Sequence, residues 1–311
     1  MASASSSKLV IYAALAGNLL VSITKFGAAA WTGSSAMLSE GVHSLVDTVN
    51  QALMLYGIHR ASAPPDAQHP LGHGRELYFW SFVVALLIFA LGAGVSIYEG
   101  VVHILHPEPI ENFRVSYVVL GLSFVFEGTT WWIAVRAFSK QRGTLGFIEA
   151  ATRSRDPTSY LVLFEDSAAL AGIAIAVAGT LAVQLTGIEA FDGVASVGIG
   201  LLLAATSLFL ARESKGLLIG EPAREPARRS ILEIADGSPG VSKVGRLITV
   251  HLAPHQIVAA LDIDFTNDLR ASEIEAIAGT IERRIREVNP DVTMVFISPK
   301  SITVIGSDPV G

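Results

Sequence analysis

Six long apolar runs, at roughly 9–30, 34–57, 77–104, 114–138, 158–184 and 190–212, constrain this chain more than anything else in it. A helix needs about 20 mainly apolar residues to cross the hydrocarbon core of a bilayer, and each run is long enough. Backbone groups in lipid must be satisfied within the segment, and runs of this length do so as helices. The expected fold is an all-α six-helix transmembrane bundle over residues 1–212, followed by a small α+β cytoplasmic domain over 213–311. Charge supports the division. Only 16% of the 311 residues are charged, against about 25% in soluble domains, and the C-terminal third is rich in Arg, Glu and Asp.

The net charge of −6 and the lack of a basic stripe argue against a nucleic-acid partner. With no cysteine in the chain, disulfides and thiolate metal sites are excluded, and any bound metal must take nitrogen and oxygen ligands. The opening MASASSSK leads straight into the first run and does not read as a cleavable signal. Lys8, Arg60, Arg75, Arg136, Lys140, Arg142, Arg153 and Arg155 fall on one side of the runs. Glu108, Glu111, Glu189 and Asp192 fall on the other, with Arg114 the main basic exception. By the positive-inside rule both termini are cytoplasmic, and the plain N-terminus points to a bacterial cytoplasmic membrane with lipid as the surrounding partner.

The C-terminal third has the order αββαβ. A helical spacing over 221–235 is broken by GSPG; the runs VGRLITVHL and QIVAALDIDF then read as strands, ASEIEAIAGTIERRIREV as an amphipathic helix and VTMVFIS as a last strand. Ser272 and Glu275 have capping-box spacing. His251 and His255 flank a strand end, whereas Asp262 and Asp264 alternate with Leu261, Ile263 and Phe265 as on a solvated strand face. Residues 301–311 read as a loose end.

Ionisable residues within spans cost about 2.5–3.5 kcal/mol each on insertion scales, so each needs a reason. In the second run Glu40, His43, Asp47 and Asn50 line one helical face. His43 and Asp47, one turn apart, are suited to share one ion, and imidazole with carboxylate is zinc-type chemistry. A plain polar stripe explains four such groups less well. In the fifth run Glu165 and Asp166 are adjacent and so point about 100° apart. Either could instead pair with Lys25 of the first run. Asp66, His69 and His73 form a D-x-x-H-x-x-x-H array between the second and third runs, a second candidate metal site open to solvent. Glu99 and Glu127 are open to proton relay or to inter-helix hydrogen bonding.

The motifs TGSSAMLSEGVHSLVD, HPLGHGRE and SIYEG together resemble the cation diffusion facilitator family. YFWSFVVALLIFALGAG, LFEDSAALAG and ESKGLLIGEP resemble the branch of it that includes a mitochondrial zinc transporter. The resemblance implies a transported metal held by two ligands from the second span and two from the fifth. These positions match His43 and Asp47, then Asp166, but the fourth matches Val162, which has no ligating atom. Water, Glu165, Glu40 or Asn50 is left to complete the shell, and an oxygen-rich shell would tolerate manganese, iron or cobalt better. The resemblance also implies a loop site at Asp66, His69 and His73, an inter-domain ion pair of Arg75 with Glu213, and a metallochaperone-like dimerisation domain. The strand VTMVFIS lacks the ligands some members carry there, which favours dimerisation over metal binding.

The implied activity is efflux of a divalent metal, zinc first, exchanged for protons at His43, Asp47 and Asp166 by alternating access in a homodimer. Imidazole has a reference pKa of about 6.5 and exchanges metal for proton near neutral pH. No prosthetic group is expected, the metal being the substrate. A metal-binding scaffold without transport is the alternative from another class. An intramembrane metallohydrolase lacks its motif, since no H-E-x-x-H is present.

Overall fold

The computed structural model describes residues 2–110, 112–142 and 146–300. Glu111 and the tail from 301 lie outside the described residues, as do the side chains of Lys8, Lys140, Arg142 and Arg153. The chain forms two compact units, Met1–Ser62 with Glu76–Lys215, and Ala63–Arg75 with Gly216–Gly311. The loop carrying Asp66, His69 and His73 thus belongs to the C-terminal unit, although the expected division at 212/213 assigned it to the membrane part.

The first unit is helical: α1 (Ala2–Thr32), α2 (Ser35–Ala61), α3 (Glu76–Leu87), α4 (Gly94–Leu105), α5 (Phe113–Arg142), α6 (Phe147–Arg153), α7 (Pro157–Thr186) and α8 (Ala190–Ile219). A π-helical turn, Ile88–Ala93, joins α3 to α4 in one rod. Such wide turns are tolerated inside helices and frequent near functional regions. Local signals set the ends. Ser34 caps α2 by accepting from the Met37 amide at 3.2 Å, and Asp156 caps α7 just before Pro157. Gly187, at φ 70°, closes α7 in the left-handed region.

Among the described residues, four helices are long and apolar enough to cross a membrane: Glu76–Leu105, Phe113–Arg136, Tyr160–Thr186 and Ala190–Ile219. α2 gives one face over to Glu40, His43, Asp47 and Asn50, which lowers its mean hydropathy. Large apolar side chains remain exposed on the outer surfaces, among them Leu122, Val125 and Trp132 of α5 and Leu201 and Leu208 of α8. In water such a surface would be an association site; in lipid it is the expected exterior. α2 packs against α1, α3, α4 and α7, so its polar face is turned inward among helices. α4 and α8 approach closely at Gly100 and Gly193, where an added Cβ would lie 2.7 Å from the facing carbonyl in either direction. Small residues permit such contacts between membrane helices.

The second unit contains α9 (Glu225–Asp236), β1 (Val241–Ala253), β2 (Gln256–Phe265), α10 (Ala271–Val288) and β3 (Val292–Pro299), in the expected αββαβ order. The sheet order is β1-β2-β3, antiparallel then parallel. Alternate residues of β2, from Ile257 to Phe265, are buried against Ile231 and Ile234 of α9 and Ile281 and Ile285 of α10. Asp262 and Asp264 fall on the other, half-exposed face. The helix cap departs from the expected Ser272–Glu275 box: α10 starts two residues earlier, and the Arg270 amide donates to Glu273 Oε2 at 2.7 Å. Pairing at N-cap and N3 is fixed by where the helix begins, and Arg270, with extended backbone, is the residue immediately before it.

Candidate metal centre

His43 and Asp47 stand one turn apart on the inward face of α2, with Nε2 and Oδ2 3.5 Å apart. That exceeds a good hydrogen bond, and neither ring nitrogen of His43 has a hydrogen-bond partner although the residue is only 2% exposed. Asp47 Oδ1 and Asp166 Oδ2 are buried and unpartnered as well. Each such group forfeits about 1–3 kcal/mol of solvation, and buried polar atoms are otherwise almost always paired. Bare nitrogen and oxygen donors are the chemistry that holds a divalent cation, though the ligating atoms of His43, Asp47 and Asp166 do not all lie within 4.8 Å of one another.

α7 supplies the opposing side, packed on α2. Asp166 feels the charge of Asp47 and of Glu127, and Glu165 feels Asp47 and Asp166. Glu165 is 6% exposed, and Asn50 Nδ2 donates to its Oε1 at 3.0 Å. Both adjacent carboxylates are therefore drawn toward α2 rather than one being left to lipid. Val162, one turn before Asp166, is partly exposed and offers no donor atom.

Lys25 removes one alternative. It pairs with neither Glu165 nor Asp166. Its Nζ, fully buried, lies 3.0 Å from Glu40 Oε2, 2.8 Å from Ser44 Oγ and 2.7 Å from Glu127 Oε1, which uses all three ammonium donors. Glu40 and Ser44 share the α2 face with His43, while Glu127 comes from α5, so the lysine ties three helices beside the centre. Its two acids resolve the role left open for Glu127: it is an inter-helix partner. The missed residue is Ser44, which lies one turn beyond Glu40 and would have pointed to Lys25. Glu40 keeps only Oε1 free of this pairing, which reduces its value as a fourth ligand.

The loop array is brought together. Ligating atoms of Asp66, His69 and His73 all lie within 4.8 Å of one another, and among the described residues no other such cluster of three was found. Asp66 Oδ1 accepts from the amides of His69 at 2.6 Å and Gln68 at 2.8 Å, and Oδ2 lies 3.1 Å from His73 Nε2. The His69 amide first, then His73, holds the Asp66 carboxyl down at about 2. The sign follows: the ionised form favours the folded loop fully above the usual aspartate value of about 3.9, and this is lost as pH falls through about 2. The loop is supported within its own unit, where Gln256 Nε2 donates to the Leu71 carbonyl at 2.9 Å. Gly74 abuts Ala253 and Leu252, where an added Cβ would come within 2.8 Å.

Asp66→Ala is expected to remove one equivalent of zinc from the purified chain. The midpoint for release of that equivalent should involve no aspartate protonation above about pH 4. Equilibrium dialysis over pH 4–8 checks this; an Asp66→Ala protein that keeps every equivalent contradicts it.

Other sequence-selected residues have local roles. His251 lies inside β1, and His255 Nδ1, in the turn between β1 and β2, is 3.0 Å from Asp291 Oδ1. Arg75 belongs to the C-terminal unit and Glu213 to the helical one.

A model of the cation efflux transmembrane domain matches residues 11–219, and one of the cation efflux protein cytoplasmic domain matches 223–299. A mitochondrial proton-coupled zinc antiporter, SLC30A9, of Xenopus laevis is 35% identical over 259 residues, covering 82% of this chain and 46% of that protein. Metal tolerance protein C4 of Arabidopsis thaliana is 34% identical, covering 85% of the chain and 58% of that protein. The chain thus spans about half the length of these curated relatives. The cation-efflux pump FieF of Cronobacter sakazakii is 27% identical over 89% of the chain and 88% of its own length.

Proposed function

The chain belongs to the cation diffusion facilitator family of cation efflux proteins, and from that premise we propose that it exports divalent metal, zinc first, in exchange for protons. The family is one of multi-pass membrane transporters rather than enzymes. In this reading the chain crosses a bacterial cytoplasmic membrane six times with both termini inside, residues 1–212 forming the transport domain and 213–311 the dimerisation domain. The observation that carries it is the buried, unpartnered imidazole of His43, one turn from Asp47. The zinc antiport named for the Xenopus relative supports the choice of ion and counter-ion.

His43, Asp47 and Asp166 hold the ion, and Glu165, buried beside Asn50, completes the shell through its second oxygen. Each ligand binds metal only when deprotonated, so protons and metal compete for the same atoms. Alternating access then converts that competition into exchange: metal enters from one side, and protons displace it on the other. A ligand atom with no competing hydrogen bond switches partners most cheaply, and the bare His43 nitrogens meet that condition. The loop triad is a cytoplasmic site that holds a second ion.

Dimerisation is supported by the open face of the sheet. Ile248, Ala260 and Phe296 stand in one cross-strand row, with Ile248 48% and Phe296 56% exposed. A second copy would cover this row.

Val162 bears on the metal. Manganese, iron or cobalt is favoured over zinc to the extent that oxygen donors outnumber nitrogen. Val162→His, which places a nitrogen donor at the position of the family's fourth ligand, is expected to tighten zinc on the order of tenfold or more. A ligand contributes roughly 3 kcal/mol on average to a four-ligand zinc site. Competition of zinc with manganese for uptake into proteoliposomes measures it; unchanged preference in the variant counts against Val162 as the selectivity position. Zinc binding to the wild type without flux would mark a scaffold instead.

A further inference from the structure

A cavity of about 540 Å³ lies between α1, the start of α2 and the end of α4, and the metal centre does not use it. It opens at the end of the helical unit formed by the α1–α2 turn and the segment after α4. Ser34 in its wall is nine residues before His43 on α2, about 13 Å along the helix at 1.5 Å per residue.

Its wall carries Glu99 and His103, one turn apart on the same face of α4. His103 is 7% exposed and its Nε2 has no hydrogen-bond partner. The nearest acid to this nitrogen is Asp192, whose Oδ2 is 4.0 Å away. Asp192 is itself fully buried and anchored, accepting from Ser34 Oγ at 2.7 Å, Ser35 Oγ at 2.9 Å and the Ala36 amide at 3.1 Å. A 4.0 Å gap is too long for a hydrogen bond. Asp192, whose two oxygens are already taken by hydrogen bonds and which is not part of the cavity wall, contributes negative charge behind the ring rather than a ligand atom. A buried imidazole with a bare nitrogen is costly unless something occupies it. His106 and Glu108, both exposed, add an imidazole and a carboxylate to the same lining.

We propose that this cavity is a further divalent-cation site, with His103 and Glu99, one turn apart in its wall, as ligands and Asp192 behind His103 as a fixed negative charge. With two buried or half-buried side-chain donors against the three of the loop triad, the site binds more weakly than the loop and exchanges quickly. In a transporter it is a station between the buried centre and the aqueous face at this end. The binding itself stands apart from the transport reading.

Equilibrium dialysis of the full chain in detergent against zinc counts saturable equivalents. Glu99→Gln with His103→Gln keeps size and hydrogen-bonding capacity and is expected to bind one equivalent fewer than wild type. The same loss is expected in an Asp47→Ala, Asp66→Ala background, where the other two sites are already disabled. An unchanged count in both backgrounds overturns the proposal. Glu99→Gln alone, at a half-buried position, guards against a misfolded double variant: it should weaken the last equivalent about tenfold, and unchanged affinity there also overturns the site. If Asp47→Ala instead binds and transports as wild type, the transport reading falls while the cavity's equivalent still stands.

Discussion

Replacing Asp47 by alanine is expected to abolish zinc-driven flux and to weaken zinc binding at the buried centre by on the order of a hundredfold. Structural zinc sites with four ligands bind with about 10–16 kcal/mol, so losing one ligand removes roughly 3 kcal/mol, or two powers of ten. The remaining centre would be worse than that average, because Val162 already leaves it one family ligand short. His43 would then be a buried imidazole with no partner one turn away, and Asp166 would have lost the acid whose charge it feels. Asp47 is no part of the Lys25 network, so the fold should persist. A monodisperse dimer with wild-type thermal stability and no flux is the expected combination. Undiminished zinc transport by Asp47→Ala would remove the centre from the mechanism.

The second large effect concerns stability. Lys25→Met leaves Glu40 and Glu127 without the cation they share, and breaking one partner from a buried ion pair costs about 3–5 kcal/mol. For a chain of this size the midpoint should fall by roughly 10 °C or more. The charge-neutral combination Lys25→Met, Glu40→Gln, Glu127→Gln should recover much of the loss, because replacing a whole buried ionic cluster is far milder than breaking it. Thermal unfolding in detergent separates the cases. A Lys25→Met protein as stable as wild type would mean that the three helices are held without the lysine.

The fold was legible wherever periodicity and length acted together. The α10 bounds, Ala271–Val288, and the β2 bounds, Gln256–Phe265, coincide with the runs marked by pattern alone, because amphipathic spacing and strict alternation leave few other registers. The π-helical turn at Ile88–Ala93 was not legible, since its residues are as apolar as the helices on either side. The α10 cap was misplaced because Ser272 is a good capping residue in isolation, while the backbone had already turned helical at Ala271.

At the site, helical spacing put His43 and Asp47 together correctly, since i and i+4 neighbours need no tertiary information. Whether Lys25 met α7 or α5 depended on helix order in space, which spacing does not encode. The choice fell to Glu127 of α5. Glu165 was ambiguous for a similar reason: two adjacent residues point 100° apart, and only the packing of α7 against α2 and Asn50 turns both inward. His103 drew no attention in the sequence because its acidic neighbour, Asp192, is 89 positions away.

The central claim is that divalent metal and protons exchange at one buried set of ligands. Proteoliposomes holding purified protein and an internal pH dye, challenged with zinc under an imposed pH gradient, test it most directly. The predicted result is zinc movement coupled to opposing proton flux in the wild type, with both lost together in Asp166→Ala. Zinc transport that leaves the internal pH unchanged, or that persists in Asp166→Ala, would contradict it.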